Sequence, residues 1–463
     1  MNSPQKHERK CYCMTNPLYN EKNIIGRLYR YFYIYFNGFS APTVDTLFLL
    51  VLSILAMESA VSIRFLYRHF LSGITEKSLN AFYYACSYAK ADYSRFMNVT
   101  AGMALNLIPD NLASQPVFLC IDDTMVSKFG LKFECASKLF DHAAHGGCNY
   151  LNGHCFVSLM LCVPVWNKGR IVYLSVPLGY RMWQKKESKL ELAAAMVHKT
   201  MPVLESKKNV VILCDSWYVK KDLVQVVWEY PNLDLIGNAR SDSAIYDLPP
   251  APTGKRGRPA KRGRRLSISE DFNLSAEKID GFHMAARRVL TNIFGPHQVM
   301  AYVTSAKRNG GSRRLFFSTI FPEQISMFCA WQEKAPLNKT GSRWMEYIPF
   351  FCYSYRWKIE ISYYEQKTFW SLCRYMLRSR KGIEMLVNLI NISYCAMKLL
   401  PYQDEEFYQY RDNSVQELRF IISRKIRQQI FYAHFVKDIE SYIKSITLMK
   451  ALKSLVKQNG YHF

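Results

Sequence analysis

The chain has 463 residues, 49% of them hydrophobic, which is enough for two or three domains with buried cores. Lysine and arginine number 61 against 37 acidic residues, and the resulting formal charge of +24 attracts polyanions such as nucleic acid. The longest apolar run, Leu47–Met57, is shorter than the ~20 residues that span a bilayer, so we expect no membrane partner. The chain opens without a signal peptide's apolar core, and its 13 cysteines follow no framework spacing, which predicts reduced thiols in a cytoplasmic protein.

The first part of the chain is predicted to be helical. Apolar residues recur at helical spacing through Asp45–Phe70 and Leu79–Leu107. This region, residues 1–115, is interpreted as a helical DNA-binding domain or as a packed cap. No strand alternation is evident within it.

Apolar runs of strand length begin after Gln115. Two candidate strands, Cys155–Val165 and Ile171–Val176, follow a first run at Val117–Ile121, and Ser188–His198 has a helical pattern before the run Val210–Cys214. Runs buried on both faces indicate the centre of a sheet covered by helices. The order of three strands, a helix and a strand is typical of an α/β fold.

A basic loop, Leu248–Leu266, interrupts this pattern, and seven of the eleven residues in Lys255–Arg265 are lysine or arginine. Alternating polar and apolar residues then predict three more strands, at Arg287–Thr291, Gln298–Thr304 and Leu315–Ile320. A helical, aromatic pattern runs from Trp344 to about Arg380, and residues 381–463 are helical and basic.

Two aspartates directly follow buried-type strands. One lies in Ile121-Asp-Asp-Thr124 and the other in Leu213-Cys-Asp-Ser216. Sites in α/β sheets are usually built at the carboxyl ends of strands, and carboxylates on neighbouring strands can share Mg²⁺. The alternative is that each aspartate only caps a helix or forms a turn.

A third carboxylate lies on a polar helix face after Trp344. Tyr353, Arg356, Glu360 and Lys367 have offsets of 0, 3, 7 and 14 residues. At ~100° per residue these positions fall within about 60° of one another. The acid can hold a metal ion, and the other three can hold DNA phosphates. A solvated face with Glu-to-Lys pairs is the alternative.

These residues resemble those of bacterial insertion-sequence transposases of the DDE type that carry the Y-(2)-R-(3)-E-(6)-K signature. Tyr353, Arg356, Glu360 and Lys367 fit that spacing without a gap, and the two strand-end aspartate motifs appear in the family's order. The resemblance covers about residues 45–400. It differs after the second aspartate, Asp215, where two aromatic residues stand in place of a small residue and an aromatic one, so only Asp215 itself carries over.

The resemblance implies a ribonuclease-H-like core interrupted by a β-rich insertion domain. We therefore divide the chain into a helical N-terminal region (1–115), the first part of the catalytic core (116–230), the insertion domain (231–343, with the basic loop at 248–266), the second part of the core (344–400) and a basic helical C-terminal region (401–463). It also implies a DNA transposase that cleaves transposon ends and joins them to target DNA.

The implied metal ligands are Asp122, Asp215 and Glu360, holding two Mg²⁺ ions that Mn²⁺ can replace. Because side chains alternate along a strand, Asp122 and Asp123 do not both face the metals. Asp122 is favoured because it follows the apolar run directly, and Asp123 is the substitute. The implied partners are terminal inverted repeats, target DNA and a second copy in a homodimer.

Four further features have competing interpretations. The segment Arg256-Gly-Arg-Pro259 resembles the core of an AT-hook, in which Arg256 and Arg258 enter a narrow minor groove, or it is a basic linker. An aromatic in the region of Trp331 and Trp344 can stack on a flipped base, although a core position is favoured for both. A zinc site is a weaker candidate, and its ligands would be Cys135, His142, His145 and Cys148. A basic amphipathic helix at Ile421–Arg427, which would bind DNA or a second protomer, is also a weaker candidate.

Two other functions are consistent with the sequence. A ribonuclease-H-like nuclease or resolvase would cut without joining. An inactive derivative would only bind DNA, although all three carboxylates are present.

Overall fold

The computed structural model describes residues 22–58, 62–130, 132–141, 149–207, 209–251, 258–328, 337 and 344–458. The chain divides into two compact units. The first, the helical unit, comprises Met1–Lys90, Arg374–Met376 and Asp412–Phe463. The second, the sheet unit, comprises Ala91–Cys373 and Leu377–Arg411.

The helical unit is built around one apolar helix. Its described helices are α1 (Ile24–Phe36), α2 (Ala41–Ala56), α3 (Ile63–His69), α4 (Leu79–Tyr88) and the 44-residue α11 (Val415–Gln458). Twelve of the 16 residues of α2 are buried, so this helix forms the core of the unit.

The start of α11 packs against the end of α2. The Arg419 guanidinium donates to the carbonyls of Ile54 (2.8 Å) and Met57 (2.6 Å), and Ser423 and Arg427 both donate to the carbonyl of Ala56. These bonds satisfy carbonyls that the end of a helix leaves without partners. The basic stretch Ile421–Arg427 therefore has an inward face within the helical unit.

The described part of the sheet unit contains eleven strands and six α-helices. The helices are α5 (Tyr93–Leu105), α6 (Lys189–Leu204), α7 (Lys221–Val227), α8 (Ile348–Cys352), α9 (Trp357–Phe369) and α10 (Arg380–Gln403). The strands are β1 (Val117–Ser127), β2 (Ser137–Phe140), β3 (Tyr150–Asn167), β4 (Arg170–Met182), β5 (Val210–Cys214), β6 (Leu233–Ala239), β7 (Ile245–Tyr246), β8 (Arg265–Leu266), β9 (His283–Thr291), β10 (Gln298–Ser305) and β11 (Arg313–Ser318).

One mixed sheet joins these eleven strands. Its centre has the order β4-β3-β1-β5-β6, in which β3 is antiparallel to β1 and β4, and β5 and β6 are parallel to β1. The sheet continues from β6 through β11, β10, β9, β7 and β8, all in antiparallel pairs, and β2 pairs with the start of β3. The strands predicted within the insertion therefore extend the central sheet.

Burial on both faces explains the unbroken apolar runs of the central strands. Every residue of Val117–Ile121 and of Val210–Cys214 is buried. In the described chain, α10 alone is long and apolar enough to cross a membrane, but 94% of its apolar window is buried inside the protein, as in a core helix. The nine cysteines in the described chain are free thiols.

The predicted fold class is confirmed: a mixed α/β chain with a large mixed sheet and helices towards both ends. The helical prediction from Trp344 to about Arg380 is wrong in part. A 3-10 turn at Tyr353–Arg356 precedes α9, and no helix covers residues 370–379, where Ser371 has a φ of 59° that an α-helix does not accommodate.

Candidate active site at the centre of the sheet

The two adjacent aspartates lie inside β1 rather than beyond its end. β1 stops pairing with β5 after Ile121, but its pairing with β3 continues to Ser127. The strand therefore outlasts its apolar segment, which the sequence pattern did not indicate. Since successive side chains of a strand point to opposite faces, Asp122 and Asp123 belong to different surroundings.

On the first face of β1, Asp122 lies beside helix α9. Asp122 is directly opposite Ser158 of β3, so their side chains share a face. The Ser158 hydroxyl is 2.7 Å from the hydroxyl of Tyr363, which is on the buried side of α9. This contact fixes α9 over the Asp122 side of the sheet.

The Arg356 guanidinium joins two of the predicted carboxylates. Its Nη1 donates to Oδ2 of Asp122 at 3.0 Å, and its Nη2 donates to Oε1 of Glu360, one turn further along the chain. The side chains of Arg356 and Asp122 are only 14% and 15% exposed, which makes this a partly buried ion pair. We call Asp122, Asp215, Arg356 and Glu360 the carboxylate cluster.

Asp215 reaches the same place through strand register. Ile121 of β1 pairs in parallel with Cys214 of β5, so the residues that follow them, Asp122 and Asp215, lie side by side. The Asp215 carboxylate accepts a hydrogen bond from the backbone N–H of Trp217 at 3.0 Å, which holds it at the carboxyl end of β5.

The cluster is electrostatically crowded with negative charge. Burial raises the pKa of Asp122 to about 7, Arg356 opposes this rise, and the nearby carboxylates of Asp215 and Asp123 add to it. Burial also raises the pKa of Asp215, again against the effect of Arg356. Three acids and one arginine leave a formal charge of −2 when all are ionised, so a further cation is favoured there.

The donor set is chemically suited to a hard divalent cation. Carboxylate oxygens are the ligands that Mg²⁺ and Mn²⁺ take in proteins, and Arg356 already places a positive group between Asp122 and Glu360. Within the part of the chain that the structure describes, no three His, Cys, Asp or Glu side chains converge closely enough to hold an ion as they stand. Since Arg356 bonds to both Asp122 and Glu360, an ion that bridged these two carboxylates would compete with its guanidinium for their oxygens.

On the second face of β1, Asp123 is engaged on both carboxylate oxygens. Its Oδ2 accepts from the ammonium of Lys189 (2.8 Å) and the thiol of Cys155 (3.1 Å), and its Oδ1 accepts from the hydroxyl of Tyr218 (2.9 Å). We call these four residues the Asp123 cluster. The sequence patterns identified neither Lys189, at the start of α6, nor Tyr218 as its partner; the nearest signal was the position of Tyr218 three residues after Asp215.

The remaining members of the predicted signature do not share one exposed helix face. Tyr353 begins the 3-10 turn, where the 100° step of an α-helix does not apply, and its ring packs edge-on against Phe316 at 5.1 Å. Lys367 lies on α9, and its ammonium donates to the carbonyl of Met125 at 2.9 Å. Burial lowers the pKa of Lys367 and raises that of Tyr353.

Of the other predicted residues, three are described by the structure and five are not. Arg258 is exposed, and Trp344 packs edge-on against Tyr347 at 5.8 Å, in keeping with a core role. The other members of these features lie outside the described residues, namely Arg256, Trp331, His142, His145 and Cys148. Cys135, the remaining member of the zinc candidate, is described and is a free thiol.

Comparison with known proteins identifies the family. Residues 35–291 match the family described as DDE superfamily endonuclease, a segment that includes Asp122, Asp123 and Asp215 and ends before Glu360. No curated protein matches this chain. A crystal structure of the NurA nuclease from Sulfolobus solfataricus aligns over 58% of this chain and 93% of its own, at 9% identity and a TM-score of 0.21. Because the family match covers more than half of the 463 residues, the chain belongs to the DDE superfamily of endonucleases.

Proposed function

We propose that this endonuclease is a DNA transposase, which cleaves transposon ends and joins them to target DNA. The observation that carries the proposal is the carboxylate cluster: Arg356 bonds to both Asp122 and Glu360, and strand register puts Asp215 beside Asp122. The chain thus brings a third carboxylate from a distant helix to the two strand aspartates. In this proposal those three acids hold two Mg²⁺ ions, which Mn²⁺ can replace.

Asp122 is preferred over Asp123 as the first ligand. Both oxygens of Asp123 accept hydrogen bonds from neighbouring side chains, and its charge is matched by Lys189. Asp122, in contrast, has one ion-pair partner that it shares with Glu360. Asp123 has three side-chain partners to lose, whereas Asp122 has one, Arg356; the other oxygen of Asp122 accepts from the backbone N–H of Asp123 at 2.8 Å.

Each residue of the cluster has a distinct task in this proposal. When bound, divalent ions supply activation of a water or a DNA 3′-hydroxyl and stabilisation of the leaving oxygen. Asp122 acts as a ligand only in its ionised form, and its pKa, raised by burial to about 7, makes the population of that form depend on pH. Arg356, once displaced from Asp122, is placed to pair with a DNA phosphate, which its planar fork suits.

DNA contacts are assigned to basic and hydrogen-bonding residues around the cluster and in the basic loop. The proposed set is Tyr353, Arg356, Lys367, Arg256 and Arg258. The net charge of +24 favours DNA as the partner without specifying a sequence. Cutting and joining two ends also calls for two copies of the active site, so we propose a homodimer that acts in the bacterial cytoplasm.

A strand-transfer assay tests the proposal. Duplexes that carry the DNA flanking the gene are incubated with the protein, Mg²⁺ and a target plasmid, and joined products with a target duplication are expected. Products that are only cleaved would identify a nuclease or resolvase. Binding without any cleavage by the natural chain would identify an inactive DNA-binding derivative.

Substitution of the third carboxylate tests the proposed triad. Glu360→Ala removes a proposed metal ligand, so we expect cleavage to fall by about 10³-fold or more while DNA binding persists. Exposed Glu205, on the same sheet unit, provides the matched control Glu205→Ala, which should cleave like the natural chain. Cleavage that survives in Glu360→Ala would remove Glu360 from the triad.

A further inference from the structure

The second half of α11 has an apolar stripe that the described residues of the helical unit do not cover. The first half of the helix is anchored by the buried residues Leu418, Ile422 and Ile426. Residues 434–454 are exposed on every side, although many of them are large and apolar. Six exposed residues from Tyr432 onward form a series with alternating spacings of three and four residues, and each is between 38% and 68% exposed: Tyr432, Phe435, Ile439, Tyr442, Ile446 and Met449.

This spacing is that of the contact positions in paired helices. Apolar residues every 3.5 positions on average keep one seam facing a partner helix, with side chains of each helix filling gaps in the other. Val436 and Ile443 widen the seam on one side, and both are more than half exposed. The stripe ends at Lys450, which would occupy the same side of the helix.

The area of the stripe is sufficient for a specific interface. At ~150–250 Å² for a whole aromatic side chain and about half of each side chain exposed, the six residues present on the order of 700 Å². Two copies would then bury up to about 1,400 Å², above the ~1,000 Å² that a biological interface needs. Monomeric proteins seldom leave so large a continuous apolar patch in water.

The charges beside the stripe favour a second helix over a membrane or DNA. With ~100° per residue, Asp438 and Glu440 lie about 100° to either side of Ile439, at the two borders of the stripe. Lys437 and Lys444 lie about 140–160° from Ile439, on the opposite side of the helix. A helix lying on an anionic surface would need its lysines at the borders of the apolar face, where this helix has acids.

We propose that residues 432–449 of α11 pair with the same segment of a second copy of this chain, forming a helical dimer through this stripe. The dimer that the proposed transposase requires would thereby have a defined contact, outside the sheet unit. The pairing itself rests on the exposed stripe and not on the chemistry of the carboxylate cluster.

Sedimentation equilibrium of the full chain tests the pairing. The natural chain should give twice its mass of 54.0 kDa, with a concentration-dependent fall to the monomer on dilution. Ile439→Glu places a charge in the seam and should weaken dimerisation by about 100-fold. Ser441→Glu adds the same charge to the opposite side of the same helix and should leave the dimer unchanged.

Additional measurements exclude misfolding of the variants as the cause of a weaker dimer. Circular dichroism should show equal helix content in all variants, and the milder Ile439→Ala should weaken the dimer by about tenfold. Glu360→Ala should dimerise like the natural chain, so loss of pairing and loss of chemistry can be told apart. A natural chain that is monomeric throughout, or an Ile439→Glu variant that dissociates no more than Ser441→Glu, would overturn the proposal. The proposal would also be overturned if the natural chain were a monomer that floats with anionic phospholipid vesicles and Ile439→Glu abolished this flotation.

Discussion

The two faces of β1 hold two polar clusters that differ in their charge balance. In the Asp123 cluster one carboxylate meets one ammonium and two neutral donors, so both its oxygens are satisfied within the protein. In the carboxylate cluster three acids share one guanidinium. Adjacent residues of one strand therefore differ in charge balance. The Asp123 carboxylate is neutralised by Lys189 within its cluster, whereas the carboxylate cluster retains negative charge that a cation can neutralise.

Neutralising each aspartate in turn tests this difference most strongly. Asp122→Asn should reduce cleavage by about 10³-fold or more, because it removes a proposed metal ligand. Asp123→Asn should keep cleavage within about tenfold but lower the free energy of unfolding by about 3 kcal/mol, because the partly buried Lys189 loses its counter-charge. Cleavage assays and denaturant unfolding of both variants measure these effects. The opposite pattern would exchange the roles of the two residues.

The raised pKa of Asp122 predicts that both metal binding and stability depend on pH. Because a ligand carboxylate must be ionised, Mg²⁺ affinity should rise with pH by up to about tenfold per unit until the pH passes about 7. In the absence of metal, rising pH has the opposite effect and lowers the stability of the folded chain. The folded chain keeps the Asp122 proton to higher pH than the unfolded chain, so the free energy of unfolding falls as the pH rises from about 4 towards 7.

Thermal unfolding with and without Mg²⁺, at pH values on either side of 7, measures both effects. In Asp122→Asn the metal-free decline in stability should become shallower, since this group no longer titrates. A natural chain whose stabilisation by Mg²⁺ is the same at both pH values would contradict the assignment of Asp122 as a ligand.

Among the described contacts, Arg356 is the only basic member of the carboxylate cluster. Its removal should therefore have opposite effects on the stability of the metal-free chain and on its stabilisation by Mg²⁺. Arg356→Gln should lower the metal-free free energy of unfolding by about 3 kcal/mol, because Asp122 and Glu360 lose their shared counter-charge. Mg²⁺ should then stabilise the variant more than the natural chain, since no guanidinium competes for the oxygens. Smaller stabilisation of the variant by Mg²⁺ would show that Arg356 supports the ion rather than competing with it.

The smallest effect is expected from the neutral donor of the Asp123 cluster. Tyr218→Phe removes one hydrogen bond to Asp123 and should cost about 1 kcal/mol of unfolding free energy. Cleavage should be unchanged, because Lys189 still holds the carboxylate in place. If cleavage instead falls by about 100-fold with intact stability, equivalent to about 2.7 kcal/mol of barrier, Tyr218 contacts the substrate.

The sequence predicted the central strands well because burial on both faces leaves a plain signal. The run Val210–Cys214 coincides with β5, and β1 begins at the predicted Val117. It did not predict that β1 continues past its apolar segment, since that depends on pairing with β3 as far as Gly153. At Gly153 an added Cβ would lie 2.1 Å from the carbonyl oxygen of Val126, so the close approach of the two strands requires glycine.

The polar contacts of the sites were less predictable. The spacing Tyr353, Arg356, Glu360 and Lys367 suggested one helix face, but a 3-10 turn separates Tyr353 from the helix that carries Glu360. Lys189 lies 66 residues from Asp123 along the chain, and no local pattern links them. The long α11 was predicted as a helix from its sequence. The exposure of its apolar stripe could not be predicted, because it depends on how much of α11 the other helices of the helical unit cover.

By itself the sequence determined that Asp122 and Asp123 point to opposite faces of a strand, because side-chain alternation is a local property of β structure. It also placed an acid at Asp215 after the neighbouring strand and another at Glu360 on a helix. Only the tertiary structure decided which aspartate is joined to Glu360 through Arg356, because that depends on which face of the sheet α9 covers. The Ser158–Tyr363 contact fixes α9 on the Asp122 side, and Lys189 of α6 neutralises Asp123 on the other.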